Sequence, residues 1–337
     1  MAESPFGLHR VIGPRQMLPQ PAERLDARMP CQSTELEIAV EQLHIDASSL
    51  RQMREAHRGD LKAVHAGLLA LVQDRGKLHN PVTDSGGMLT GVVRAVGSAY
   101  LQPPAVGARV ASLASLTLTP LRLEELGNID AVSNSVTANG TAFLFQASPW
   151  TELPSDIPEE VALAAFDVAG APARVAARTK PGSRVLIVGA GNSGSLAALA
   201  AAEAGAAEVL LADIDAMRLQ AIEALGIRAL TTLHADAADA VAFAANVGVP
   251  VDLTASCVDL PGVESACILA TKPDGHILFF SMATSFARAA LGAEGVGSGA
   301  TLEIGNGFYK GHAQLVTSLL RRHRKLWGML THRHARA

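Results

Sequence analysis

The stretch Arg184-Val185-Leu186-Ile187-Val188-Gly189-Ala190-Gly191-Asn192-Ser193-Gly194 decides the fold. Its apolar run reads as a strand buried on both faces of a parallel sheet. A Gly-x-Gly-x-x-Gly pattern, Gly189 to Gly194, follows at once, and then a helix from Ser195 to Ala204. The pattern alone is weak in a chain with 30 glycines. Set between a strand and a helix, it is the fingerprint of a dinucleotide-binding turn. Gly189 permits the tight turn, Gly191 lets the backbone approach a pyrophosphate, and Gly194 lets the helix pack close to the sheet. Asn192 and Ser193 complete the loop at a helix N-terminus, where free N–H groups favour anions.

The same rhythm continues downstream. Glu208–Ala212 is the next strand, and Asp213 stands at its end, nineteen residues after Gly194. A carboxylate there accepts hydrogen bonds from adenosine ribose hydroxyls and repels a 2′-phosphate, so the expected cofactor is NAD. Ala216–Leu225 is helical; Val251–Ala255, Gly275–Phe280 and Ala300–Ile304 are strands; a helix from His312 to about Leu330 closes the chain. Alternating strands and helices predict a doubly wound parallel sheet, a Rossmann domain in an α/β fold.

Upstream, the texture differs. Glu159–Ala177 is alanine-rich and helical, with Gly170 and Pro172 expected to end or kink it. Before Pro154 the patterns are mainly β. Leu36–Val40 alternates as a half-buried strand, and Gly91–Gly97, Val106–Ala111 and Ala142–Gln146 read as further strands. Asp60 caps a helix carrying Leu61, Val64, Leu68, Leu71 and Val72, and Gly76 stops it. The expected organisation is a mainly β catalytic domain over 1–154 with a helical insertion near 51–79, a NAD-binding domain over 155–330, and a tail over 331–337.

Composition narrows the function. The chain has 337 residues, 49% hydrophobic and 18% charged, with a net charge of −4. That balance suits a globular protein and gives no basic surface for nucleic acid. Three scattered cysteines, Cys31, Cys257 and Cys267, make neither a disulfide scaffold nor a cysteine-built zinc site. The N-terminus lacks a signal sequence and no apolar run reaches membrane length, so a cytoplasmic protein is expected.

A non-nucleotide domain before a Rossmann unit, with a Gly91-Val92-Val93-Arg94-Ala95-Val96-Gly97 strand followed by Val106-Gly107-Ala108-Arg109-Val110-Ala111, resembles the medium-chain dehydrogenase/reductase superfamily. The resemblance implies a GroES-like first domain and a dimer or tetramer. The superfamily's zinc enzymes carry a His-Glu pair just before that strand, where this chain has Ser85-Gly86-Gly87-Met88-Leu89-Thr90. Asp46 stands where they keep the first cysteine ligand, and Ala164, with Asp167 three residues on, stands near the third. The resemblance therefore implies no metal.

Longer strings resemble one family within that superfamily. They include Phe6–Ile12, Leu18–Pro21, His79–Thr83, Ser85–Leu89, Ser115–Pro120, Asp167–Pro172 and Gly305-Asn306-Gly307-Phe308-Tyr309-Lys310-Gly311-His312-Ala313. The family is the L-erythro-3,5-diaminohexanoate dehydrogenases of lysine fermentation. It implies NAD-dependent oxidative deamination at C3, giving 5-amino-3-oxohexanoate, ammonia and NADH.

Amine oxidation sets requirements on the residues. Nitrogen must be neutral before the carbon beside it releases hydride, so the bound ammonium must first lose a proton to a base. A substrate with two ammonium groups and one carboxylate wants acidic side chains and N–H donors. Asp46, Asp84 and Asp167 lie at the places that line the superfamily's cleft, and Asp46 is the first candidate for the base. Ser48 sits where many relatives keep a hydroxyl relay. Ser85, Gly86 and Gly87 offer backbone N–H groups to the substrate carboxylate.

Plainer readings compete. Asp84 shapes a turn. Asp167 caps a helix or pairs with Arg174. His44 is structural, and Arg321, Arg322, Arg324 and Lys325 form a solvated helix face. His332 and His334 belong to the tail. Two rival functions also stand: a zinc-free NADPH-dependent quinone or enoyl reductase, and a dinucleotide sensor without turnover.

Overall fold

A computed structural model describes residues 4–13, 17–131 and 133–331. The chain divides into two compact units, the first ending at Leu163 and the second running from Ala164 to Thr331. The sequence texture changes earlier, at 154, because helix α3 (Glu159–Phe166) spans the division. His332 and His334 lie outside the described residues.

In the first unit, β1 (Val11–Ile12) and β2 (Arg24–Leu25) make a short antiparallel ribbon. The main sheet holds β3 (Glu35–Ile45), β4 (Gly87–Val96), β5 (Arg109–Ser112), β6 (Leu121–Asp130), β7 (Ser135–Phe145) and β8 (Trp150–Glu152). Their order is β6-β7-β3-β4-β5-β8, every pair antiparallel. The alternation in β3 buries Leu36, Ile38 and Val40. Onto this core pack Val64, Leu68 and Val72 of α2 (Leu61–Arg75). Asp60 caps α2 by accepting from the Lys62 and Ala63 N–H groups, and Gly76 ends it at φ +64°. The polar helix α1 (Ala47–Ala56) was not anticipated, and neither was β6. Bulges interrupt the pairing of β6 with β7 at Leu123/Glu125 and Leu126/Ile129, so its alternation is broken.

Arg10 anchors the N-terminal segment. It is fully buried and all of its guanidinium donors are used. Nε and Nη2 bond Glu35 at 2.8 and 2.5 Å, Nη1 bonds the Asp26 and Met29 carbonyls, and Nη2 also reaches that of Pro30. Its carbon lies 3.8 Å from the Phe143 ring centre. Glu35 further accepts from the Gln32 N–H and pairs with His9.

The second unit contains β9 (Arg184–Val188), β10 (Glu208–Asp213), β11 (Leu230–His234), β12 (Val251–Ser256), β13 (Thr271–Phe279) and β14 (Thr301–Ile304). The order β11-β10-β9-β12-β13-β14 is parallel throughout, the doubly wound topology that the phosphate turn predicts. Its helices are α4 (Gly170–Arg178), α5 (Asn192–Glu203), α6 (Ala216–Glu223), α7 (Ala240–Val247), α8 (Glu264–Ala270), α9 (Phe286–Gly295), α10 (His312–Arg322) and α11 (Trp327–Thr331). Gly170 and Pro172 open α4 after α3 has ended; proline is tolerated there because first-turn N–H groups have no helical partner.

The last helix departs from expectation. It breaks after Arg322, where His323 leaves helical angles and bonds Glu203 at 2.8 Å. Arg322 pairs with the same carboxylate, so it is not simply a solvated cation.

Candidate active site

The phosphate turn is built by close approaches. Gly189 has φ +100°, and its N–H bonds the Ala212 carbonyl at 2.7 Å. A Cβ on Gly194 would lie 1.7 Å from the Gly189 carbonyl oxygen, so only glycine admits this helix–strand packing. Helix α5 starts at Asn192, earlier than the sequence suggested, which puts Asn192, Ser193 and Gly194 in its first turn. Gly191 is the extended N-cap residue and supplies no side-chain cap. Ser193 Oγ is buried with no hydrogen-bond partner among the described residues. Asn192 Nδ2 instead bonds the Leu330 carbonyl at 3.1 Å. Open N–H groups and an orphaned hydroxyl at a helix N-terminus suit a pyrophosphate.

Asp213 is tied into this turn. Its Oδ2 accepts from the Ala190 N–H at 2.5 Å, and its Oδ1 from the Asp215 N–H at 2.8 Å. Each oxygen keeps a further lone pair for a ribose hydroxyl. Arg218 escaped the sequence reading. Its Nη1 lies 4.0 Å from the place of a Cβ on Gly191, while its Nε pairs with Asp215 at 3.3 Å. It brings a cation to the rim of the turn; spacing along α6 was the only signal.

In the first unit, Asp46 follows β3 directly and is the N-cap of α1. Its Oδ1 accepts from the Ser48 N–H at 2.9 Å and from the Ser48 hydroxyl at 2.6 Å. No donor among the described residues bonds Oδ2. Ser48 Oγ lies 3.3 Å from Ser85 Oγ. Ser85 Oγ in turn lies 2.7 Å from Ser49 Oγ and 2.9 Å from Thr83 Oγ1, which are 2.8 Å from each other. Asp46, Ser48 and Ser85 are therefore gathered in one place, along with Ser49 and Thr83, which sequence reasoning missed.

The other candidates sit differently. Asp84 turns away to His79, 2.6 Å from its Nε2, in a left-handed turn at φ +52°. Burial holds the His79 ring below the ordinary histidine pKa, against the pull of Asp84. Gly86 and Gly87 pack backbone on backbone. The Gly86 carbonyl accepts from the Asp46 N–H at 3.2 Å, and a Cβ on Gly87 would lie 2.0 Å from the His44 carbonyl oxygen. Both glycines thus hold Asp46 in place. Asp167 belongs to the second unit, between α3 and α4. Arg174 does not pair with it. Its guanidinium bonds Glu303 at 2.9 Å, Asn306 Oδ1 at 2.9 Å and the Phe308 carbonyl at 3.2 Å. Glu303 also takes Arg178 at 2.8 Å and His276 at 2.7 Å. A Cβ on Gly170 would lie 2.4 Å from the Asn306 carbonyl oxygen, so α4 and the 305–311 loop are in direct backbone contact.

None of the three cysteines is in a disulfide. Burial pushes Cys257 up to about 11 and Cys267 up to about 12, so neither is a thiolate nucleophile. Among the described residues, no three His, Cys, Asp or Glu gather as a metal cluster, and no helix is long and apolar enough to cross a membrane.

The family model of the L-erythro-3,5-diaminohexanoate dehydrogenase N-terminal domain matches residues 9–154. An L-erythro-3,5-diaminohexanoate dehydrogenase of Acetoanaerobium sticklandii is 39% identical over 335 residues, 94% of each chain. One from Fusobacterium nucleatum is 41% identical over 331 residues, again 94% of each. The chain belongs to the L-erythro-3,5-diaminohexanoate dehydrogenase family. Two solved structures share the fold of this family member. A CurK enoyl reductase aligns with a TM-score of 0.57 at 18% identity, over 90% of this chain and 82% of its own. A 2R,3R-butanediol dehydrogenase of Bacillus subtilis aligns at 0.54 and 16%, over 89% and 85%. The family resemblance carried by the longer sequence strings holds, and a nicotinamide dinucleotide is the cofactor class of a dehydrogenase of this family.

Proposed function

We propose that this dehydrogenase converts L-erythro-3,5-diaminohexanoate, NAD and water to 5-amino-3-oxohexanoate, ammonium, NADH and a proton. The observation that carries the reading is Asp46. It is a carboxylate with one oxygen held by Ser48 and the other without a donor among the described residues, the kind of group that can accept the proton a diamino acid must lose.

Gly189, Gly191, Gly194 and the N–H groups of Asn192 and Ser193 would hold the pyrophosphate, and Arg218, at the rim of the same turn, would add a cation. Asp213 takes the adenosine ribose and disfavours a 2′-phosphate. A bound nicotinamide would supply the hydride acceptor for C3. Asp46 Oδ2 accepts a proton from the C3 ammonium, freeing the lone pair that drives the hydride out. Ser48 holds Oδ1 and keeps the carboxylate aimed. Asp46 next assists water in its attack on the C3 imine, and ammonia leaves. Ser85, Gly86 and Gly87 serve the substrate carboxylate through backbone N–H groups, and Asp84, paired with His79, and Asp167, in the second unit, are each separate candidates for contact with an amine. The binding residues need no metal. Reduced thiols support a cytoplasmic enzyme, and the superfamily resemblance supports a dimer or tetramer.

Steady-state kinetics of Asp46→Asn and Asp167→Asn with 3,5-diaminohexanoate test the assignment. Loss of the base lowers kcat by about 10²–10⁴-fold with NAD affinity intact. A residue that only binds raises KM instead. If Asp46→Asn keeps both within about threefold, Asp46 is not the base. NADH formation from 3,5-diaminohexanoate also separates this reading from a quinone or enoyl reductase, which turns over without the amine, and from a sensor, which does not turn over.

A further inference from the structure

The reaction releases a net proton, and the hydroxyl cluster on Asp46 gives it a way out. We infer that Ser48, Ser85 and Thr83 form a proton relay from Asp46 to solvent, with Ser49 as its buried support. The inference rests on Asp46 being the base.

Donor counting fixes the direction of the relay. Each hydroxyl has a single proton to give and two lone pairs to receive with. While Asp46 is ionised, the short 2.6 Å contact requires Ser48 to donate to it. Ser48 then has no proton left for Ser85, so at 3.3 Å the Ser85 hydroxyl must donate to Ser48. Ser85 has likewise given its proton, so Thr83 at 2.9 Å is its donor on the exposed side, while Ser49, 2.7 Å from Ser85 and 2.8 Å from Thr83, has a single proton to share among these hydroxyls and the Ser85 carbonyl at 3.4 Å. The cluster is polarised toward Asp46.

Proton uptake reverses it. Once the protonated carboxyl turns about its Cβ–Cγ bond, so that the oxygen carrying the proton faces Ser48, that proton passes to Ser48 Oγ, the Ser48 proton to Ser85, the Ser85 proton to Thr83, and the Thr83 proton to water. As many O–H bonds form as break, and no electrons change hands. The exit is set by exposure. Ser49 is buried at 2%, whereas Thr83 is half-buried in a turn whose neighbours Pro81, Val82 and Asp84 are exposed. That turn is pinned by the Asn80–Ser85 bridge and the Asp84–His79 pair. Ser49 touches both Ser85 and Thr83 and keeps them in register. Ser85 is the narrowest link, since Ser48 has no other hydroxyl neighbour among the described residues.

The test uses the full-length enzyme with 3,5-diaminohexanoate and NAD. Ser85→Ala lowers kcat about ten- to a hundredfold, with the NAD dissociation constant unchanged and the thermal midpoint preserved. Added imidazole restores turnover of Ser85→Ala in a concentration-dependent way, and the solvent deuterium isotope effect on kcat rises above the parent's. Ser85→Thr, which keeps the hydroxyl, turns over at least tenfold faster than Ser85→Ala. If Ser85→Ala retains full kcat while Asp46→Asn is inactive, the relay is refuted and the base stands. If Ser85→Ala is slow but neither imidazole nor Ser85→Thr recovers it, Ser85 acts structurally and the relay is again refuted. Full activity in Asp46→Asn overturns base and relay together.

Discussion

Replacing Arg10 by methionine removes the cation from a site where nothing else can take its place. Arg10 and Glu35 are both fully buried. In Arg10→Met the Glu35 carboxylate keeps, among the described residues, only His9 and the Gln32 N–H; the carbonyls of Asp26 and Met29 lose their Arg10 donor, and that of Pro30 keeps only the Gln32 amide. Breaking a buried pair from one side costs about 3–5 kcal/mol. For a unit of this size, that lowers the thermal midpoint by roughly 6–20 °C. The pair also carries acid sensitivity. Burial by itself raises the Glu35 pKa, but the bonds from Arg10, His9 and Gln32 outweigh it and lower it from 4.5 to about 2. Because the folded value is depressed, the stabilisation is complete above pH 4.5 and fades as the pH falls toward 2. A shift of that size is worth about 3 kcal/mol. Urea unfolding across this pH range is the assay, with Arg10→Met and with Arg10→Met/Glu35→Leu. The double variant recovers most of the neutral-pH loss and flattens the acid limb. A single variant within 1 kcal/mol of the parent at neutral pH refutes the reasoning.

Other perturbations have outcomes as definite. Asp213→Ala weakens NAD about ten- to a hundredfold by fluorescence titration and narrows the preference over NADP, as a charged hydrogen bond worth about 1.5–3 kcal/mol requires. Equal kcat/KM for NAD and NADP in the unaltered protein contradicts that role. Gly194→Ala places a methyl 1.7 Å from the Gly189 carbonyl oxygen and is expected to weaken NAD more than tenfold; an unchanged affinity shows that the turn can move aside. Elemental analysis of the purified enzyme is expected to find well under one zinc per chain, and a stoichiometric metal lost together with activity contradicts it.

What could be read from sequence followed the strength of local patterning. β9, β10 and β12 are short apolar runs between turns, and their bounds fall within a residue or so of expectation. Asp60 and Gly76 marked α2 because capping chemistry is local. β11 went unread because Leu230–His234 is an edge strand with no buried residue to create a pattern. Helix α1 is polar, and its start is set by Asp46, a residue considered for its chemistry and not for its capping. The site divides likewise. Asp46 and Ser48 are two residues apart and were legible together. Their link to Ser85 crosses 37 residues and depends on how β3 and β4 pair. Arg218 reaches Gly191 only because β9 and β10 are neighbours.

The contact between α4 and the 305–311 loop has a consequence for how this protein can be recombined. The strings Asp167–Pro172 and Gly305–Ala313 stand far apart in the chain, yet Arg174 grips Asn306 and Phe308, and the Gly170 backbone abuts Asn306. They are two halves of one lock, and Glu303, holding Arg174, Arg178 and His276 at once, is its bolt. A chimera that takes α4 from one parent and β14 with its loop from a distant one mismatches the halves, however well each half suits its own parent. Crossovers placed before Ala164 or after His312 keep the lock whole, so a shuffled library should tolerate exchange there and resist it in between.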